Sequence, residues 1–194
     1  WEYTYFDMLT DYLADLSYFD TSNYMEDMLT PTKKYLPECR NSGAIVINTE
    51  LLKEKGLAEP TSYQDLIKPE YKGLLSMPNP KSSGTGYMFL RNLVNAWGED
   101  AAYKYFDAFA ENIVQFTSSG SGPINALVQK EAAVALGMTA QAVTMINEGA
   151  PLKIIFFEEG VPFSQYGHAI TKKAESKKDF AKIKEVFDYL VKEV

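Results

Sequence analysis

At 194 residues with 46% hydrophobic side chains, the chain can bury one sizeable core or two small ones. Its formal net charge of −7 and its pI of about 4.8 argue against nucleic acid or an anionic membrane as the main partner, yet backbone dipoles can still build a local anion pocket in an acidic protein. A single cysteine, Cys39, excludes an internal disulfide and a cysteine metal cluster.

Residues 1–42 are aromatic and acidic, and Phe6, Leu9, Leu13 and Leu16 suggest one helix there. From Gly43 the pattern is regular. Gly43 to Asn48 reads as a strand, followed by a short helix capped by Thr49 and stopped at Gly56. Thr61 with Gln64 three residues on suggests a capping box. Strands are expected over Leu74–Met77, Ile113–Phe116, Ala132–Met138, Leu152–Phe157 and Gly167–Thr171. Helices are expected over Gly84–Trp97, Asp100–Ala110 (with Tyr103, Phe106 and Phe109 inward), Gly122–Lys130, Gln141–Glu148 and Ser176–Val194. This alternation predicts an α/β fold: three layers, a mostly parallel central sheet flanked by helices. The expected division is a poorly patterned segment, 1–42, and an α/β lobe, 43–194.

Two loops stand out. Pro80-Lys81-Ser82-Ser83-Gly84-Thr85-Gly86 and Thr117-Ser118-Ser119-Gly120-Ser121-Gly122-Pro123 each lie between an apolar run and a helical pattern. Small, hydroxyl-rich loops at helix starts present backbone N–H groups and hydroxyls at the positive end of a helix dipole. In parallel sheets such loops border the ligand crevice. Ser82, Ser83, Gly84, Thr85, Ser118, Ser119, Gly120 and Ser121 are therefore candidate ligand-binding residues; the same residues also suit ordinary helix caps. Thr139 and Gln141, at a strand end and a helix start, join them as polar cleft candidates. Neither loop carries the Gly-Lys-Ser/Thr ending of a phosphate-cleaving P-loop, the dinucleotide fingerprint or a nucleophile elbow. His168 is the only histidine, and Glu158 and Glu159, adjacent on an extended segment, point to opposite faces. No catalytic base, nucleophile, metal site or cofactor is expected, so the chain does not read as an enzyme.

From Ala44 onward the chain resembles the second lobe of a type 2 periplasmic solute-binding protein, in the branch of ABC-transporter receptors for ferric iron, thiamine, phosphonates and sugar phosphates. The pieces that carry the resemblance are Ile47-Asn48-Thr49-Glu50-Leu51-Leu52, Pro60-Thr61-Ser62-Tyr63-Gln64-Asp65-Leu66, Pro69-Glu70-Tyr71-Lys72-Gly73, Met77-Pro78-Asn79-Pro80, Ser83-Gly84-Thr85-Gly86, Ala133-Val134-Ala135-Leu136-Gly137-Met138 and Glu158-Glu159-Gly160. Such proteins are longer than this chain, which is expected to be an excised or truncated lobe. Ferric-iron binders of the branch carry adjacent tyrosines where this chain has Ala140-Gln141-Ala142-Val143. The resemblance thus implies an extracytoplasmic component of an ABC import system, in the periplasm or as a cell-surface lipoprotein. It implies a small anionic solute such as a phosphate ester or phosphonate, with a membrane permease or membrane sensor as partner. The alternatives are an α/β enzyme acting on a phosphorylated small molecule and the solute-sensing domain of a membrane signalling system.

Overall fold

The structure, a computed structural model, describes Trp1–Lys192. In chain order the helices are α1 (Tyr3–Met8), α2 (Thr49–Glu54), α3 (Gly84–Trp97), α4 (Glu99–Ala110), α5 (Gly122–Val128), α6 (Thr139–Asn147), α7 (Lys172–Glu175) and α8 (Phe180–Lys192). The strands are β1 (Leu36–Asn48), β2 (Leu75–Pro78), β3 (Ile113–Thr117), β4 (Val134–Met138), β5 (Leu152–Ile155) and β6 (Phe163–His168). They form two compact units: Trp1–Asn41 with Ser164–Val194, and Ser42–Phe163.

The Ser42–Phe163 unit is built on a sheet with strand order β3-β2-β4-β1-β5. β2 runs parallel to β3 and β4, whereas β1 runs antiparallel to β4 and β5. The α/β class read from the sequence holds, but the sheet is mixed rather than mostly parallel. Strand direction is set by pairing partners far along the chain, which local periodicity does not record. From Gly43 to Asn48 every residue of β1 is buried, because this central stretch is covered on both faces. Its alternation sorts the side chains. Ile45 and Ile47 join one apolar cluster with Phe89 and Leu93 of α3 and Tyr105 and Phe109 of α4. Ala44 and Val46 join another with Ile124 and Leu127 of α5 and Ala142 of α6. Helices therefore cover both faces of the sheet. Within α4 it is Ala102, Tyr105 and Phe109 that are buried; Tyr103, expected inward, is 47% exposed.

Caps fall one residue from where sequence places them. Asn48, not Thr49, caps α2: its Oδ1 accepts from the Leu51 amide at 2.9 Å, and its Nδ2 donates to the Leu127 carbonyl at 2.8 Å. The capping box pairs Ser62 with Asp65 rather than Thr61 with Gln64. Asn48 places an amide carbonyl within reach of the Leu51 N–H, and in the box the Ser62 hydroxyl accepts from the Asp65 amide while the Asp65 carboxylate, a stronger acceptor than the Gln64 amide, accepts from the Ser62 amide.

In the other unit, α1 ends at Met8 and a short 3₁₀ turn follows at Thr10–Tyr12, so Leu13 and Leu16 lie beyond the helix expected of them. Leu13 instead bridges to Thr171, and Leu16 packs with Phe19, Leu36, Ile170 and Phe187. The sequence reading keeps everything after residue 42 in one lobe. Here the segment from Ser164 belongs with residues 1–41: β6 pairs with β1, and α8 places Phe180, Ile183 and Val191 against that same cluster. An amphipathic pattern shows that a helix buries one face and is silent about which unit receives it. The helix expected over Ser176–Val194 begins only at Phe180, as α8, with the short α7 lying before the expected start, and its last two residues lie outside the described residues.

Candidate functional site

Because β2, β3 and β4 run parallel, Pro78, Thr117 and Met138 finish at the same end of the sheet. The loops and helix starts that follow these ends carry all ten predicted site residues: α3 opens after β2, α5 after β3, and α6 directly after β4.

The first loop is held by Asn79, which sequence reasoning did not single out. Its amide donates to the Thr117 carbonyl at 2.8 Å, tying the end of β2 to the end of β3. Its carbonyl accepts from the Ser82 and Ser83 amides at 3.1 and 2.9 Å, and its Oδ1 accepts from the Lys81 amide at 2.9 Å. The Asn-Pro pair was the available signal, being a turn former. Gly86 then lets α3 approach closely: a Cβ there would stand 2.8 Å from the Asn79 carbonyl carbon. Ser83 is the N-cap residue of α3 but makes no side-chain cap bond. The first amide to find a helical acceptor is Tyr87, bonded to the Ser83 carbonyl. The first-turn amides of Gly84, Thr85 and Gly86 precede it and are left to other partners.

The second loop meets the first at Gly120. A Cβ on Gly120 would lie 2.5 Å from the Thr85 hydroxyl oxygen and 3.9 Å from Met138 at the end of β4. Its hydroxyls are exposed and mutually bonded: Ser119 and Ser121 stand 3.2 Å apart, and Thr117 donates to the Ser119 carbonyl at 2.9 Å. Ser82 and Ser118 are exposed to water.

Thr139 and Gln141 are brought to the same place, but as braces. The Thr139 hydroxyl donates to the Gly43 carbonyl at 3.3 Å and lies 3.0 Å from that of Ser42, a residue the sequence reading passed over. Gln141 Nε2 donates to the Ser121 carbonyl and to Asn125 Oδ1, each at 3.2 Å, so α6 fixes the second loop.

The electrostatics are one-sided. α3, α5 and α6 have no acidic residue in the first turn and no side-chain cap. By contrast α2 carries Glu50 and its Asn48 cap, and α4 carries Glu99 and Asp100. In a chain of net charge −7, none of the three helix starts that follow β2, β3 and β4 carries a carboxylate in its first turn, a feature they share with α1 and α8. Uncapped amides and a helix dipole without a resident acid favour negative charge. Among the described residues no group of three His, Cys, Asp or Glu side chains is placed to hold a metal ion. His168 lies on β6 with Nε2 3.6 Å from Glu38.

The family described as bacterial extracellular solute-binding protein matches residues 10–194. The chain belongs to that family. Among its relatives, an uncharacterized protein of Haemophilus influenzae is 32% identical over 131 residues, 67% of this chain and 38% of the relative. The spermidine/putrescine-binding periplasmic protein of Escherichia coli is 27% identical over 173 residues, 84% of this chain and 48% of the relative. Among solved structures, the periplasmic binding protein AfuA from Actinobacillus pleuropneumoniae, with exogenous fructose-6-phosphate bound, matches with a TM-score of 0.72 at 27% identity, over 93% of this chain and 57% of AfuA. The chain thus spans less than two thirds of the length of these relatives. The family and the two named relatives are binding proteins rather than enzymes, and they are extracellular or periplasmic. The resemblance read from Ala44 onward is borne out and reaches back to residue 10.

Proposed function

We propose that this chain serves as part of the extracytoplasmic receptor of an ABC import system and holds a small anionic solute, a phosphate ester or phosphonate, at the ends of β2, β3 and β4. The observation that carries this reading is the set of carboxylate-free, uncapped helix starts around Gly120 and Thr85. In this reading the amides of Gly84 and Thr85 and the hydroxyls of Ser83, Thr85, Ser119 and Ser121 receive the anion's oxygens. Ser82 and Ser118 form the rim, and Thr139 and Gln141 hold the loops in place. The fructose-6-phosphate in AfuA supports the chemistry. The receptor's partner would be a membrane permease or a membrane sensor.

One rival has a specific observation behind it: the Escherichia coli relative is named for polyamines, and this chain is acidic. The local field speaks against it, since uncapped helix N-termini repel an ammonium group. Amide chemical shifts of the labelled chain separate the two. Fructose 6-phosphate should shift Gly84, Thr85 and Gly120 in a saturable way, and spermidine should not. Spermidine shifting those amides, or none of them moving with millimolar sugar phosphate, would overturn the proposal.

A further inference from the structure

A cavity of about 370 Å³ lies beside the loop cluster but takes none of its ten residues. Its walls come from four elements of the same unit: Met77 of β2, Leu90 of α3, Tyr103 and Phe106 of α4, and Phe116 of β3. Lys81 is the one charged residue lining it, next to the Asn79-Pro80 turn. Two of these rings are left substantially in water, Tyr103 at 47% and Phe116 at 45% exposed. The volume falls within the range of small-molecule sites, roughly 300–1,000 Å³. An aromatic-walled cavity with a few polar groups, of which Lys81 alone is charged, has the make-up of such a site.

The handle decides the ligand's charge. Lys81 forms no ion pair among the described residues, and the Asn79 side-chain oxygen is taken by the Lys81 amide. Lys81 is thus the only cationic group in the lining that can meet a ligand's charge. We infer that this cavity is a separate binding site for a small aromatic monoanion, an aryl carboxylate or aryl sulfonate, its ring between Phe106 and Phe116 and its anionic group at Lys81. Because Ser82 and Ser83 follow Lys81 directly, a ligand here bears on the loop that opens α3. The inference rests on the cavity alone and does not depend on the proposed solute.

The probe is 8-anilinonaphthalene-1-sulfonate, read by fluorescence on the whole chain, with uncharged N-phenyl-1-naphthylamine beside it. One saturable site is expected for the sulfonate. Lys81→Glu should weaken the sulfonate by roughly two- to fivefold, the scale of one exposed ion pair, and leave the neutral dye unchanged. Phe116→Asp should remove both dyes. Both positions are exposed, and melting temperature and circular dichroism verify that the variants fold. Sulfonate binding untouched by Lys81→Glu would overturn the inference even if Phe116→Asp failed to fold. So would displacement of the dye by inorganic phosphate, which would merge the cavity with the loop site.

Discussion

Gly120 stands against Thr85, so close that a Cβ on the glycine would lie 2.5 Å from the threonine hydroxyl oxygen. This contact joins two loops that leave different strands. The obstacle is the tip of a side chain, not backbone, and it can turn aside. Gly120→Ala should therefore keep the fold but displace the Thr85 hydroxyl. Anion affinity is expected to fall roughly tenfold, the worth of one hydrogen bond to a charged group, with little change in melting temperature. Calorimetry with fructose 6-phosphate and a thermal melt measure the two; unchanged affinity would remove Thr85 from the site.

Ser83 offers a test that separates ligand from cap. An N-cap serine normally loses about 1 kcal/mol of stability on mutation to alanine, but this one makes no cap bond. Ser83→Ala should leave stability within about 0.5 kcal/mol while weakening anion binding roughly ten- to a hundredfold, and Thr85→Ala should do the same to binding. Lost stability with intact binding would make the loop a helix cap only.

Ferric ion is expected to bind weakly. A hard trivalent cation takes phenolate or carboxylate oxygen, and Ala140-Gln141-Ala142-Val143 offers neither. Titration with ferric citrate should give no phenolate charge-transfer band. A strong visible band with tight binding would count against the anion reading.

Asn48 is fully buried and satisfies two backbone groups that lie far apart in sequence, the Leu51 amide and the Leu127 carbonyl. Asn48→Ala removes a cap, leaves the buried Leu51 amide unpaired and takes one of two donors from the Leu127 carbonyl, which keeps the Lys130 amide at 3.1 Å. The expected loss is roughly 2–4 kcal/mol in denaturant unfolding. Asn48→Asp keeps the acceptor but buries a charge and still cannot donate to Leu127, so it should not rescue.

Asp65 gives the unit an acid-sensitive joint. Its carboxylate is held well below the usual range, first by the Lys68 ammonium at 2.7 Å and then by the Thr61 amide and hydroxyl at 2.8 and 2.9 Å. A depressed acid stabilises the fold above its unfolded pKa, about 3.9, and that contribution fades as pH falls through the folded value. Stability should therefore decline with acidification below about pH 4, and Asp65→Asn should flatten that part of the profile. A variant with the same acid profile as the parent would show that other carboxylates carry it.

Much was legible in the sequence because it is local. The helix over Gly84–Trp97 was read to the residue, since its Gly-rich start, its apolar spacing and its stop at Gly98 all lie within the reach of i to i+4 bonds. The Ser/Gly loops were visible for the same reason, as was the strand–helix alternation that fixes the α/β class. What the sequence could not carry is who meets whom. Whether β1 runs with or against β4, whether residues 164 onward pack with residues 1–41, and whether Thr85 faces Gly120 are settled by contacts across tens of residues. Such contacts depend on strand pairing and burial summed over the whole chain, and no single stretch encodes them. The residue types of the candidate site were thus set by sequence, and their convergence by the sheet.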